Sequence, residues 1–210
     1  IEMLLLRRIY HAPELLQLLA TFALVLVVKD FTLWQWGPED ILGPRAPGFT
    51  GAVEIAGLAF PEYDLFLIVF GPLVLGALWL LLKRTRWGTL VRAATQDREM
   101  AGALGVNQKW LFTGVFALGA FLAGLGGAVI SPQIAVTPGI DGSIIVFAFI
   151  VTVVGGLGSI AGAAIGALLI GAAETAGTLV APEWATVFPY AAMIAILVVR
   201  PLGLFGAAER

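Results

Sequence analysis

The sequence predicts an all-α fold, a polytopic bundle of about six membrane segments, from three observations. Sixty per cent of the 210 residues are apolar and only 12% are charged, with a mean hydropathy of +0.97, whereas soluble domains are about half apolar and a quarter charged. The apolar residues fall into separate runs of helical length. The basic residues crowd into one of the connectors between those runs.

A hydrocarbon core about 30 Å thick needs roughly 20 helical residues at ~1.5 Å each. Leu65 to Leu82, Trp110 to Ile130 and Ile160 to Val180 approach or reach that length and are nearly free of charge. Leu15 to Val28, Ser143 to Val154 and Trp184 to Val199 are shorter, bounded by polar or Gly/Pro-containing segments. Ser143 to Val154 is short enough to be a re-entrant segment instead of a full crossing. The connector Gly37 to Asp64 holds Pro38, Pro44, Pro47 and Pro61 with several glycines, which predicts turns in place of a long regular element. Trp34, Trp36, Trp79, Trp87, Trp110 and Trp184 lie near the ends of the proposed spans, where an indole suits the headgroup layer.

Six of the twelve Lys and Arg residues fall between Lys83 and Lys109, so that connector is expected in the cytoplasm. Alternation then places Ile1 to Pro13, with Arg7 and Arg8, and Arg200 to Arg210 on the same side. The opposite side, with Gly37 to Asp64, keeps Lys29 and Arg45 beside several carboxylates, and Lys29 with Asp30 is read as an outer interfacial anchor just past the first span. The chain opens at Ile1 without the basic-then-apolar order of a secretory signal peptide, as expected of a segment lacking the N-terminal part of a longer protein.

With no cysteine and a lone His11, thiolate or histidine-rich metal sites, a cysteine nucleophile and a disulfide framework are excluded, and no metal is expected. Gly155-Gly156-Leu157-Gly158-Ser159 lacks the Gly-Lys-Ser/Thr ending of a phosphate loop and reads as a tight turn. Gly158, Gly162 and Gly166 recur every fourth residue, which predicts one helix-packing face. Gly119, Gly124, Gly126 and Gly127 are expected to be buried, since glycine offers little to lipid. Glu174 is the one carboxylate deep in a strong apolar segment, where lipid exposure costs roughly 2.5 kcal/mol or more. It is either a carboxylate of a substrate pathway or a packing partner for Thr175, Thr178 or a neighbouring helix. Thr152 is ambiguous in the same way, because its hydroxyl can bond its own helix as readily as a ligand.

Arg92 to Asn107 is polar yet has helical spacing: Met100, Ala103 and Leu104 share one face, while Arg98, Glu99 and Gly102 project elsewhere. Composition allows a surface helix or a solvated loop. Glu99-Met100-Ala101-x-x-x-Gly105 resembles the E-A-A-x-x-x-G core by which permeases of ATP-driven (ABC) importers contact their ATPases, with Met in place of the first Ala. The downstream I-x-L-P element of that pattern is replaced by Val115, Ala117 and Leu118.

Thr85-Arg86-Trp87-Gly88-x-x-Val91-Arg92-Ala93 followed by Met100-Ala101-x-x-x-Gly105-Val106-Asn107 resembles the branched-chain amino-acid permease family, in particular its LivH-like subunit. Val154-Gly155-Gly156-Leu157-Gly158-Ser159-x-x-Gly162 and Arg200-Pro201-x-Gly203-Leu204-Phe205-Gly206 resemble two further stretches of that family, in the same order. The resemblance implies one transmembrane permease domain over residues 1–210, with 83–109 as its cytoplasmic coupling loop and further family spans N-terminal to it. It implies a multi-pass protein of the bacterial inner membrane with a cytoplasmic C-terminus, and no bond chemistry of its own. Arg92, Asp97, Arg98, Glu99, Ala101 and Gly105 are the implied ATPase-coupling residues, and Thr152 and Glu174 the candidates for the substrate pathway. The implied partners are cytoplasmic ABC ATPase subunits carrying ATP and Mg, a second permease subunit, and a periplasmic or lipid-anchored substrate-binding protein. The chain itself is expected to hold no cofactor and to bind no nucleic acid. Urea and short-amide permeases are close relatives of the family, and a secondary transporter or channel is the reading from another class. For the latter, broken helices or inverted repeats are expected, and no such repeat is present in the sequence.

Overall fold

The computed structural model describes residues 3, 12–44, 48–49, 51–55 and 57–206. Contacts divide the chain into two compact units, Ile1–Pro138 and Gly139–Arg210. Arg7, Arg8, His11, Arg45, Pro47 and Arg210 lie outside the described residues.

In the first unit, α1 (Glu14–Trp36) precedes a short antiparallel hairpin of β1 (Ala52–Ile55) and β2 (Leu58–Pro61). Then come α2 (Glu62–Arg84), α3 (Arg86–Gln96), α4 (Arg98–Ala103) and α5 (Gln108–Ile130). α1, α2 and α5 are each long and apolar enough to cross a membrane. Glu62 and Asp64 sit in the first turn of α2 and Lys83 and Arg84 in its last, a charge order that also suits the helix dipole. Tyr63 is only 4% exposed, and its hydroxyl donates to the Val129 carbonyl at 2.6 Å, so the start of α2 is tied to the end of α5. Gln133 donates to the Asp64 carboxylate at the same end. Ile41 and Val136 exchange backbone hydrogen bonds there, and the Gly43 N–H donates to the Ser131 carbonyl at 3.0 Å.

The second unit contains α6 (Ile140–Gly155), α7 (Ile160–Val180), a 3-10 turn (Pro182–Trp184) and α8 (Val187–Val199). Ile150, Val154 and Ile170 form its core with Phe147, Met193 and Leu204 around them. α7 presses on α6 through glycine. A Cβ on Gly162 would stand 2.0 Å from the Gly155 carbonyl oxygen, and one on Gly166 2.8 Å from that of Val151. The segment after α8 folds back onto the end of α6, where Leu204 N–H donates to the Val154 carbonyl at 2.8 Å and Phe205 N–H to that of Gly155 at 3.1 Å. Gly203 lies so close to Gly156 that a Cβ on it would be 2.7 Å from the Gly156 Cα. Two stretches of the sequence resemblance thus meet in space.

Several expectations need correction. The first apolar helix runs past Val28 to Trp36, because Lys29 and Asp30 change side-chain polarity without interrupting the backbone ladder. The helix stops at Gly37, which has φ 83 and donates its N–H to the Leu33 carbonyl. Lys29 and Asp30 are therefore inside α1, about two turns or less from its end. The proline-rich connector holds, as expected, no long regular element among the described residues, only the short β1–β2 hairpin with Gly57 in its turn at φ 81. Gly158 precedes α7, in a turn at φ 83 with open space where its Cβ would be, so the packing face consists of Gly162 and Gly166 without it. Gly119, Gly124, Gly126 and Gly127 are exposed in this chain, with nothing within 4 Å of an added Cβ. At 16 and 13 residues, α6 and α8 extend about 24 and 20 Å, less than a full hydrocarbon core.

Replacing Gly162 by Ala should cost about 1–3 kcal/mol or more, since backbone must move to admit the methyl group. Gly171→Ala, with open space at its Cβ, should be neutral or slightly stabilising. Thermal unfolding of the purified protein in detergent distinguishes the two. Equal midpoints would show that α6 and α7 do not depend on this backbone contact.

Candidate functional site

The connector between α2 and α5 folds into two short helices, each started by a polar side chain. Thr85 accepts from Gly88 N–H at 3.1 Å and caps α3, Asp97 accepts from Met100 N–H at 2.9 Å and caps α4, and Asn107 accepts from Trp110 N–H at 3.3 Å and caps α5. Such caps satisfy backbone donors that have no partner inside the helix. α4 ends in a Schellman motif. Gly105 N–H donates to the Gly102 carbonyl and Val106 N–H to that of Ala101, with Gly105 at φ 83, a conformation that favours glycine.

A small core lies beneath these turns. Ala94, Ala101 and Leu111 are buried together, with Trp87, Val91, Val106 and Phe112 packed around them. Trp87, expected as a headgroup anchor, thus packs against this core, and its ring lies where a Cβ on Gly114 would be 3.4 Å away. Gly88 allows α3 to start directly against the Leu82 backbone, where a Cβ would stand 2.2 Å from the carbonyl oxygen.

The six expected coupling residues divide by role. Arg92 donates to the Leu82 carbonyl and, at 3.4 Å, to the Thr89 hydroxyl, fastening α3 to the end of α2. Asp97 is the cap of α4, Ala101 its buried anchor and Gly105 its terminator. Arg98 is held by Gln108 and lies over the Phe112 ring. Glu99 alone among the six is exposed with no hydrogen bond or ion pair to the described residues. Beside it, Met100 and Leu104 are 57% and 78% exposed, and Trp110 is 68% exposed. Trp87, Leu90, Leu104, Val106, Trp110 and Leu111 line an open hollow of about 460 Å³. The face presented outward is thus apolar with one free carboxylate. Gln108 and Phe112 were not distinguished by the sequence, although their i, i+4 spacing immediately after the loop is a readable signal.

The two membrane candidates are not brought together. Thr152 donates to the Ala148 carbonyl of its own helix at 2.6 Å. Its neighbour Val151 lies beside Gly166, and Glu174 is eight residues further along α7, about 12 Å away along the axis. Glu174 is exposed in this chain. Thr175 and Thr178 donate to their own helix, to the Gly171 and Thr175 carbonyls, so neither hydroxyl proton goes to the carboxylate. Among the described residues no group of three or more His, Cys, Asp and Glu is placed to hold a metal ion.

Residues 4–197 match the protein family described as the branched-chain amino acid transport system / permease component. The chain belongs to that family. The permease is 29% identical over 214 residues to the high-affinity branched-chain amino acid transport system permease protein BraD of Pseudomonas aeruginosa, covering all of this chain and 70% of the relative. It is 27% identical over 224 residues to the corresponding LivH protein of Escherichia coli K12, with the same coverage. To a probable branched-chain amino acid transport permease protein LivH of Methanocaldococcus jannaschii it is 31% identical over 142 residues, covering 64% of this chain and 45% of the relative. No solved structure matches. The permease is a multi-pass helical membrane protein, with four helices long and apolar enough to cross a bilayer and two shorter apolar ones among the described residues.

In this permease the Gly105 backbone holds a left-handed turn that an L side chain enters at a cost of about 1–2 kcal/mol. Gly105→Val should therefore loosen the end of α4, and the Val106 amide should exchange with solvent at least several-fold faster while the amides of α5 beyond its first turn stay protected. Unchanged exchange at Val106 would show that the turn does not depend on glycine.

Proposed function

We propose that this permease is a membrane-spanning subunit of an ATP-driven importer in a bacterial inner membrane, translocating branched-chain or related small amino acids, and that α4 is the element its ATPase engages. The observation that supports the second part is the arrangement of α4. Ala101 anchors it in a small core, while Glu99, Met100 and Leu104 are left outward, with no partner among the described residues that would occupy them. On this reading residues 83–109, with the start of the chain and its C-terminus, are cytoplasmic, consistent with the excess of basic residues there.

The chain performs no bond chemistry. ATP and Mg bind to partner ATPase subunits, a second permease subunit completes the pathway, and a periplasmic or lipid-anchored binding protein delivers the substrate. Closure of the ATPases pushes on α4, and the push reaches two spans because α3 is fastened to the end of α2 by Arg92 and α4 shares its core with Leu111 of α5. Glu174, exposed in the isolated chain, faces the pathway or the second permease subunit, since a carboxylate in lipid is strongly disfavoured. Thr152 lines the same pathway at another depth.

Glu99→Arg reverses the exposed carboxylate of α4, and Gly105→Pro both removes the N–H that bonds Gly102 and demands a negative φ where the chain has +83. Both variants should insert normally yet lose substrate uptake by the importer reconstituted with its ATPase in proteoliposomes. Wild-type ATPase association and uptake in both would contradict the assignment of α4.

A further inference from the structure

We infer that Gln108 and Phe112 form a clasp on Arg98 that makes α4 move as one body with the head of α5, and that they are positioning residues for transport. The inference rests on the reading of α4 as the coupling element. Gln108 is the first residue of α5, and Phe112 lies one turn later on the same face. The Gln108 side-chain amide bonds Arg98 twice, accepting from its Nε at 3.1 Å and donating to its backbone carbonyl. The guanidinium carbon of Arg98 stands 4.9 Å from the centre of the Phe112 ring, within range of a cation–π contact. The amide crosses α4 at Gly102, where a Cβ would be 2.7 Å from the Gln108 Nε2.

The covalent link between the two helices is short and bends at a glycine. Only Leu104, Gly105, Val106 and Asn107 join α4 to α5, and a short turn with a positive-φ glycine is the kind of element that absorbs a movement as a hinge. The clasp bypasses that turn, connecting the first residue of α4 to the first two turns of α5. It also gives Arg98 an inward task, since its Nε and the face of its guanidinium are both engaged within the chain. Gln108→Ala leaves the Ala94, Ala101 and Leu111 core untouched and Phe112→Leu keeps an apolar side chain packed against it, so the clasp variants should fold and still present α4.

The test uses the complete importer in proteoliposomes and reads three quantities: ATPase association, ATP hydrolysis and substrate moved per ATP. Gln108→Ala and Phe112→Leu should associate with the ATPase as the wild type does, while substrate moved per ATP falls about fivefold or more. Phe112→Trp, which keeps an aromatic face for the cation, should retain the wild-type ratio. A wild-type ratio in both loss variants would overturn the clasp. So would a loss in Phe112→Trp equal to that in Phe112→Leu, or a loss of ATPase association in Gln108→Ala. Glu99→Arg in the same assay separates the two ideas. If it abolishes association while the clasp variants transport normally, only the clasp fails. If it changes nothing, the coupling role of α4 fails and the clasp goes with it.

Discussion

A helix ends with four carbonyls that have no partner inside it, and a bilayer offers no water to those that lie at depth. This chain answers that constraint by bringing donors from elsewhere, and those donors decide which elements touch. The Tyr63 hydroxyl closes the Val129 carbonyl near the end of α5, and the Arg92 guanidinium closes Leu82 near the end of α2. Leu204 and Phe205 N–H groups close Val154 and Gly155 at the end of α6. Gly105 and Val106 close the end of α4 from within the turn itself. The Tyr63, Arg92, Leu204 and Phe205 donors each also fix a neighbouring element.

The same constraint explains which residues made the sequence recognisable. Thr85, Asn107 and Ser159 are N-caps, Gly105 terminates α4, and Gly155, Gly156 and Gly203 permit the crowded return of the chain onto α6. The positions that carried the resemblance are largely helix ends and close approaches. A side chain there is chosen by backbone geometry, and geometry of that kind leaves a readable pattern.

Other features were hidden for physical reasons. Hydropathy falls at Lys29, but hydropathy does not end a helix, and α1 continues to the glycine that does. Regular spacing suggested that Gly158 shares a face with Gly162, yet the helix begins after it. The exposed glycines of α5 show that a pattern suited to packing does not reveal whether the packing partner belongs to the same chain. Gln108 and Phe112 at the head of a membrane helix resemble ordinary interfacial residues, and only the three-dimensional placement of Arg98 between them gives them a task. Trp87 likewise has the composition of a lipid anchor and the surroundings of a core residue.

On the proposed reading, function reduces to how movement at one surface reaches the spans. The large exposed side chains with no partner among the described residues are Glu99 and Met100 of α4 and Leu104 at its cap, beside Trp110 at the start of α5. The inward ones are fixed by a cap, a buried alanine and a terminating glycine. The most direct measurement is photocrosslinking from a probe placed at Leu104 in the assembled importer, with and without ATP. A crosslink to the ATPase subunit whose yield changes with nucleotide is the expected result. Crosslinking to lipid alone, or to no partner in either state, would contradict the role assigned to α4.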